Sequence, residues 1–577
     1  MVMQKTLFSD KKFVVQAGMV KKRKVVFKSY CQNQDFLLPK NIDEFVTPGH
    51  MARLISDIID CMNIDDIVRT YHGGGTSSYD PRMLLKVWCL GFVNKTYTCR
   101  LLAKELRENL TFMWVSGNQR PDFHTLNNYR LRLGKGMKVI FKEIVQYGIE
   151  TGIITGKDVF VDHTKKAANA NKHKVVWRKQ VEKQSKKIDD ELDGLFDYID
   201  QLNKEEQEVF GNKDLPEQER TGFDQEQVKK IVDKINEKMK CGKLPLEQGR
   251  EAKKKIRRAK ELVERKQEYK NKKVILGTRN SYSKTDTDAV AMMMKDKITI
   301  RPAYNEGVAV ENGFILGYVI NDNCADNVSF KQLMDSTIDN LNKIPENGHA
   351  DSAYGNEENH AYFEEKGINN FLKYNMYHIE KTKKWNEKMR FNNFKYDKQQ
   401  DEFTCKNNVK LELFQTYEEK TATGFARHLK QYRAQTGHCT TCPFRASCTK
   451  SDARTLEVSW NGERLKQQAK VNLESEKGLE LRKRRGNEVE SVFGDEKLNK
   501  DKQRYVLRGI PKVTIEAGLY YISHNLRKLH TFLTKKENKT PLTKKNRGSS
   551  NTAIQIFTTS SNLNNFLDNP EHNTKPC

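Results

Sequence analysis

Val159-Phe160-Val161-Asp162, followed by His163-Thr164-Lys165, is the stretch on which the fold turns. Three β-branched or aromatic residues in a row spell a short buried strand, and the strand closes on an acid. A carboxylate in that position projects into a cleft at a sheet edge. A second one follows in Gly348-His349-Ala350-Asp351-Ser352-Ala353-Tyr354-Gly355, at a turn of small residues ahead of a helix. Each acid alone reads as a cap or turn residue. Mg²⁺, however, takes a few carboxylate oxygens and leaves its other positions to water and phosphate, so strand-end acids are the donors it needs.

Outward from Asp162 the texture alternates. Strands at Ile298–Ile300, Val308–Val310, Gly313–Ile320 and Asn369–Leu372 are interleaved with helices at Ser329–Leu341 and Asn356–Lys366, which predicts an α/β layer. Upstream, residues 41–150 read as helices: His50–Ile59, Met83–Phe92 behind Pro81, Thr98–Asn109, a piece around Trp114, and Asp122–Leu133. Helix, tight connection and helix, with Arg130 and Arg132 on the last, fits a DNA-binding helix-turn-helix and an ordinary bundle equally well.

Two segments interrupt the α/β layer. Residues 173–275, rich in Lys, Glu, Gln and Asp, predict a protruding helical arm with breaks near Gly211–Pro216 and Gly242–Pro245. Residues 376–475 are lysine-rich, aromatic and cysteine-bearing. Helix resumes near Leu479 and, after a turn at Arg508–Pro511, runs through Val513–Leu533. The expected organisation is an extension over 1–40, an all-α domain over 41–150, a core over 151–533 with insertions at 173–275 and 376–475, and a disordered tail over 534–577.

The 102 Lys and Arg outnumber the 76 Asp and Glu, a net charge of +26 that calls for a polyanionic partner. No apolar run is long enough to span a bilayer and no signal-peptide pattern opens the sequence, so a cytoplasmic protein with no membrane partner is expected. Lys21-Lys22-Arg23-Lys24 reads as a solvated patch. Eleven cysteines in so long a chain suit a reducing compartment. Cys439-x₂-Cys442-x₅-Cys448, with Cys405 upstream, has the density of a structural Zn²⁺ site, and His428 and His438 are possible substitutes for Cys405. Cys31, Cys61, Cys89, Cys99, Cys241, Cys324 and Cys577 lack ligand spacing and read as core or surface residues, and Tyr304, Tyr354 and Trp385 as packing residues.

The last piece is a helix in which Glu490 and Lys497 share a face. A carboxylate and a cation stacked there suit a metal and an adjacent phosphate; taken alone they read as a solvated surface.

Glu490-Ser491-Val492-Phe493-Gly494, with Lys497 behind it, resembles the third-acid helix of bacterial insertion-sequence transposases of the DDE class, in the branch named for its Tyr-Arg-Glu-Lys signature. Val161-Asp162-His163-Thr164-Lys165 with Ala168-Asn169-Ala170-Asn171-Lys172 is similar to their first-acid segment, and Ala350-Asp351-Ser352-Ala353-Tyr354-Gly355 to their second. Ser283-Lys284-Thr285-Asp286-Thr287-Asp288-Ala289 also matches, and Tyr79-Asp80-Pro81-Arg82-Met83-Leu84-Leu85-Lys86, Trp114-Val115-Ser116-Gly117 and Pro121-Asp122-Phe123-His124-Thr125 look like their helical amino-terminal domain.

The resemblance implies a ribonuclease H-like core with Asp162 on its first strand, Asp351 after its fourth and Glu490 on a later helix. It implies two Mg²⁺ (or Mn²⁺) ions held by those acids, and cleavage and strand transfer of double-stranded DNA at terminal inverted repeats and a target. It further implies a homodimer in the synaptic complex and a nucleoid-associated location. Comparable cysteine groups occur in such enzymes, which supports zinc at Cys405, Cys439, Cys442 and Cys448. Signature spacing places Gly486 and Lys483 where arginine and tyrosine are expected, so Arg485 or Arg482 is assigned the phosphate clamp beside Lys497. Glu488 is a rival third acid, but Asp495 stands where its lysine is expected. Glu306-Gly307 replaces the relatives' apolar residue and glutamine, the mark of neutral drift or of a catalytically inactive, repurposed DNA-binding copy.

Overall fold

A computed structural model describes residues 41–71, 77–210, 246–380, 382 and 393–539. The breaks expected near Gly211–Pro216 and Gly242–Pro245 lie outside them, as do Trp385, residues 1–40 and the chain beyond 539. The chain divides into a short unit, Met1–Glu44, and a large one, Phe45–Cys577, which holds every candidate site residue.

The large unit opens with helices: α1 (Met51–Cys61), α2 (Asp65–Val68), α3 (Pro81–Val93), α4 (Cys99–Glu108), α5 (Leu110–Val115) and α6 (Phe123–Glu150). Local chemistry starts them. Asp80 accepts from the Arg82 and Met83 amides with Pro81 in the first turn, Thr98 caps α4 and Asp122 caps α6. α6 does not stop at Leu133, the expected end; it continues through Gly134 and Gly136 to Glu150. Gly136 is there because a side chain at that point would meet Ile67, so the glycine serves close helix packing rather than a break.

β1 (Asp158–Ala167) follows, then β2 (Val175–Trp177), α7 (Arg178–Phe210) and α8 (Leu246–Leu276), which pair as an arm around the small core of Ile188, Leu192, Leu262 and Val263. Returning strands are β3 (Ser281–Ser283), β4 (Val290–Met293), β5 (Ile300–Glu311) and β6 (Phe314–Asn321). α9 (Phe330–Leu341), β7 (Asn347–Gly355), α10 (Glu357–Lys366) and β8 (Asn369–Tyr374) complete the mixed sheet. β1 runs antiparallel to β5 and parallel to β7, β7 is parallel to β8, and β5 also pairs with β4 and β6.

The cysteine-bearing region builds a second, antiparallel sheet from β9 (Lys395–Asp397), β10 (Glu402–Thr404), β11 (Lys410–Lys420), β12 (Ala426–Ala434) and β13 (Thr455–Val458), with α11 (Arg445–Cys448) in its cysteine loop. It has its own core of Phe394, Phe403, Leu411, Tyr432, Leu456 and Val458. α12 (Trp460–Glu474) and α13 (Glu476–Arg485) lead back to the mixed sheet, and α13 continues through wider π-type turns at Gly486–Glu490 and Asp495–Asn499. α14 (Ile510–Lys539) then packs against α3, α6 and β6, so one apolar core joins the amino-terminal helices to the sheet. No helix among the described residues is long and apolar enough to cross a membrane.

Candidate active site

Alternate residues of a strand face opposite sides, and β1 uses both. Its even-numbered residues meet the long helix that begins with α13. Asp158 Oδ2 accepts from Arg484 Nη1 at 2.6 Å, Asp162 pairs with Arg485, Thr164 Oγ1 accepts from Lys497, and Lys166 pairs with Glu496. On the other side His163 is buried, its ring nitrogens 2.6 Å from the Tyr354 hydroxyl and 2.8 Å from Ser329 Oγ. A Cβ at residue 307 would overlap that imidazole, so Gly307 accommodates His163.

Asp162 therefore does not end its strand, and Asp351 does not lie on a turn: both sit within strands, at β1 and β7. The parallel register that pairs Phe160 with His349 places Asp162 beside Asp351 two residues on. One guanidinium nitrogen of Arg485 reaches both carboxylates, at 3.3 Å from Asp162 and 3.6 Å from Asp351. Burial pushes the Asp162 carboxyl up to about 6; Arg485 opposes the rise, and Asp351 and Asp326 add to it.

The helix that carries Glu490 places its carboxylates differently. Glu490 is exposed at the end of the first π-type turn, and no hydrogen bond or ion pair engages it among the described residues. Glu488, its rival, is buried and committed, accepting from the Gly313 amide at 2.9 Å and lying 3.2 Å from Arg484. Arg482 donates to the Tyr377 hydroxyl at 2.9 Å. Lys497 donates to Thr164 and, at 3.3 Å, to the Lys165 carbonyl, and burial lowers its ammonium pKa. Among the described residues no three His, Cys, Asp or Glu side chains stand in metal-holding geometry. Asp162 and Asp351 are together; Glu490 is not drawn into the pair.

Beside this pocket lies a buried charge cluster. Lys166, Glu306 and Glu496 are each fully buried, with Lys166 2.8 Å from Glu306 and in direct contact with Glu496. The Tyr505 hydroxyl donates to Glu306 at 2.8 Å. Two carboxylates around one ammonium leave a surplus negative charge, and burial beside Glu306 drives the Glu496 carboxyl upward. Glu306 departs from the family pattern yet has partners throughout. Sequence spacing gave no sign of this cluster, because its members come from three distant elements. Asp286 and Asp288 are also structural: they accept from the Gly509 and Ile510 amides at the start of α14.

In the second sheet the four cysteines lie in one neighbourhood without standing in metal-holding geometry. Cys448 is raised first by burial, and the nearby Cys439, Cys405 and Cys442 add to the rise. Backbone amides of Val409 and Arg454 point at the Cys405 and Cys439 sulfurs, at 3.4 and 3.3 Å. His438 is exposed, and His428 lies 3.9 Å from Glu418. Cys89 is buried and Cys61 and Cys324 are exposed, all as free thiols. Tyr304 and Tyr354 are fully buried packing residues.

The two arginines of α6 part company. Arg130 is buried over the Trp88 ring at 4.9 Å, donating to Asn127 at 2.9 Å, and turns away from solvent. Arg132 is exposed, over the Tyr71 ring at 4.3 Å.

Comparison with known proteins gives two family matches. Residues 40–132 match a transposase domain of unknown function, and residues 404–530, which include the cysteines, Glu490 and Lys497, match a transposase DDE domain. No curated protein and no solved structure matches. Two transposase matches on one chain, one over the amino-terminal helices and one over the segment that includes Glu490, support a DDE transposase of the bacterial insertion-sequence kind.

Proposed function

We propose that this chain is the transposase of an insertion sequence, cutting double-stranded DNA at terminal inverted repeats and joining the freed ends to a target. The observation that carries the reading is the meeting of Asp162 and Asp351 on adjacent parallel strands under one arginine. Three antiparallel strands, β6, β5 and β1, continued by the parallel β7 and β8, support a ribonuclease H-like core over 151–533. Residues 173–275 and 376–475 are then its insertions, and 41–150 its DNA-binding helices.

The donors fit a hard divalent cation: two clustered carboxylates, one of them raised by burial, gain from a positive charge between them. Asp162, Asp351 and Glu490 would hold two Mg²⁺ or Mn²⁺ ions, whose chemistry is to activate the attacking oxygen and neutralise the leaving one. Closure of the Glu490 turn toward the pair completes that set. Arg485 keeps the two aspartates together and, with Arg482 and Lys497, offers positive charge to the scissile phosphate. His163, held neutral by burial at about 3, braces β1 against Tyr354 of β7, so the acids keep their register. Cys405, Cys439, Cys442 and Cys448, four thiols in one neighbourhood, would hold a tetrahedral Zn²⁺ on drawing together and so pin the second sheet. Synapsis of two ends calls for a homodimer.

The test is a cleavage assay on duplexes carrying the repeats that flank the gene, with Mg²⁺ or Mn²⁺. Wild type should nick them, whereas Asp162→Asn, Asp351→Asn and Glu490→Gln should bind and not cut. Binding by wild type without cleavage under either ion would leave a DNA-binding protein and no enzyme.

A further inference from the structure

β11 outruns the strand on one side of it. β10 pairs only with Lys410 and Leu411, whereas β12 follows the other side from Leu411 to Lys420. Among the described residues no strand lies along the far edge of Glu412–Lys420, all of it exposed apart from half-buried Tyr417. An edge of that length presents unpaired amides and carbonyls, which proteins commonly shorten or cover.

The turn of the hairpin decides which groups face outward. The Thr421 amide donates to the Phe425 carbonyl at 2.9 Å, and bonded and non-bonded pairs alternate from there along the ladder. Lys420–Ala426, Glu418–His428 and Thr416–Lys430 are then non-bonded pairs, so the main-chain groups of Thr416, Glu418 and Lys420 point away from β12. A register shift between Leu413 and Gln415 ends this regular stretch. The hairpin is also held in place. The Thr421 and Thr423 hydroxyls donate to Glu358 at 3.5 and 2.5 Å, and Arg427 donates to Glu357 at 3.2 Å, both at the start of α10.

Charge selects the occupant. β11 carries Glu412, Glu418 and Glu419 against Lys410 and Lys420, so it is slightly acidic on a chain of net charge +26. A phosphate backbone gains nothing from such an edge, while two copies of the chain can approach here without the repulsion that a basic surface imposes. The edge is also complementary to itself. In an antiparallel pairing about Tyr417, Thr416 stands opposite Glu418 of the partner subunit, so the outward main-chain groups meet. Gln415 then faces Glu419 of the partner subunit, and Phe414, 57% exposed, faces Lys420 of the partner subunit. No like charges are opposed. Centring the pairing on Glu418 would set that carboxylate against itself, and centring it on Thr416 would bring the register shift into the second bonded pair.

We propose that this edge is a dimer interface, in which β11 of two copies pairs antiparallel about Tyr417 and joins their second sheets across a two-fold axis. The inference deepens the homodimer of the reading above by giving it a surface, and it requires neither metal nor cleavage.

The experiment uses the full chain without DNA. Sedimentation over a concentration series should show a monomer–dimer equilibrium in the micromolar range, since one strand pair buries little surface. Glu418→Pro removes an outward amide and spares the bonds to β12, so it should weaken the dimer about tenfold or more with unchanged circular dichroism. Tyr417→Cys sets a thiol opposite its own copy at a non-bonded pair, where the strands come closest. Mild oxidation should then give a covalent dimer well above the level of wild type, whereas Thr416→Cys should not. Should the proline variant unfold, the cross-link decides alone. A monomer at every concentration would overturn the interface, as would a dimer in which Tyr417→Cys forms no cross-link. A wild type that dimerises through β11 yet leaves repeat DNA uncut would keep the interface and remove only the enzymatic reading.

Discussion

Asp162 and Asp351 lie side by side on parallel strands and share a single guanidinium nitrogen of Arg485, at 3.3 and 3.6 Å. The arginine offsets a repulsion that a divalent cation would offset better. Arg485→Ala should lower stability without added metal by about 1–3 kcal/mol, the cost of leaving partly buried carboxylates without their cation. It should also enlarge the rise in Tm on adding Mg²⁺. Thermal melts with and without Mg²⁺ measure both; an unchanged Mg²⁺ response would separate the arginine from the metal pocket.

Lys166 is the only cation in direct contact with Glu306 and Glu496 among the described residues. Lys166→Ala leaves two buried carboxylates facing each other and should cost about 3–5 kcal/mol in urea unfolding. Replacing all three together, by Lys166→Met, Glu306→Gln and Glu496→Gln, should recover most of that loss. A mild effect of Lys166→Ala alone would show the cluster to be open to water.

The sequence made some of this legible and hid the rest for definite reasons. Val159–Val161 announced β1 because its residues are apolar, but the strand runs on through Thr164 and Lys166, polar residues that a helix more than 300 positions away makes tolerable. Proximity of Asp162 to Asp351 is implied only by the ordered resemblance, since each motif alone reads as a cap or turn. The detachment of Glu490 is not, since a π-type turn depends on tertiary packing. Arg130 reads as a DNA contact from its place in a helix-turn-helix layout; it is buried over Trp88 instead. The sheet β9–β13 escaped notice because strands such as β11 are mostly exposed and lack an apolar run.

Asp495 gives a pH prediction. Burial alone would raise its carboxyl, but the His524 ring, 3.4 Å away, and Arg527, donating at 2.5 Å, pull it well below the usual range. A depressed carboxylate contributes stability that is full above its unfolded value, about 4, and is lost as pH falls toward the folded one. Asp495→Asn should therefore destabilise the chain by about 1–3 kcal/mol at neutral pH, with the gap narrowing below about pH 4. Denaturant curves across that range check it; a gap constant with pH would remove the charge from the explanation.

Zinc at the cysteines predicts about one bound equivalent in purified protein, lost in Cys448→Ser. Metal analysis reads the content, and a chelator should loosen β9–β13 while sparing the mixed sheet. Protein purified free of zinc, with that sheet intact, would leave four free thiols.

The most direct measurement is the number of Mn²⁺ ions bound in the presence of terminal-repeat DNA, read by electron paramagnetic resonance in wild type and in Glu490→Gln. The expected result is about two ions in wild type and fewer in the variant, as the proposed joining of Glu490 to Asp162 and Asp351 on DNA binding requires. Equal occupancy in both proteins would contradict the convergence of the three acids.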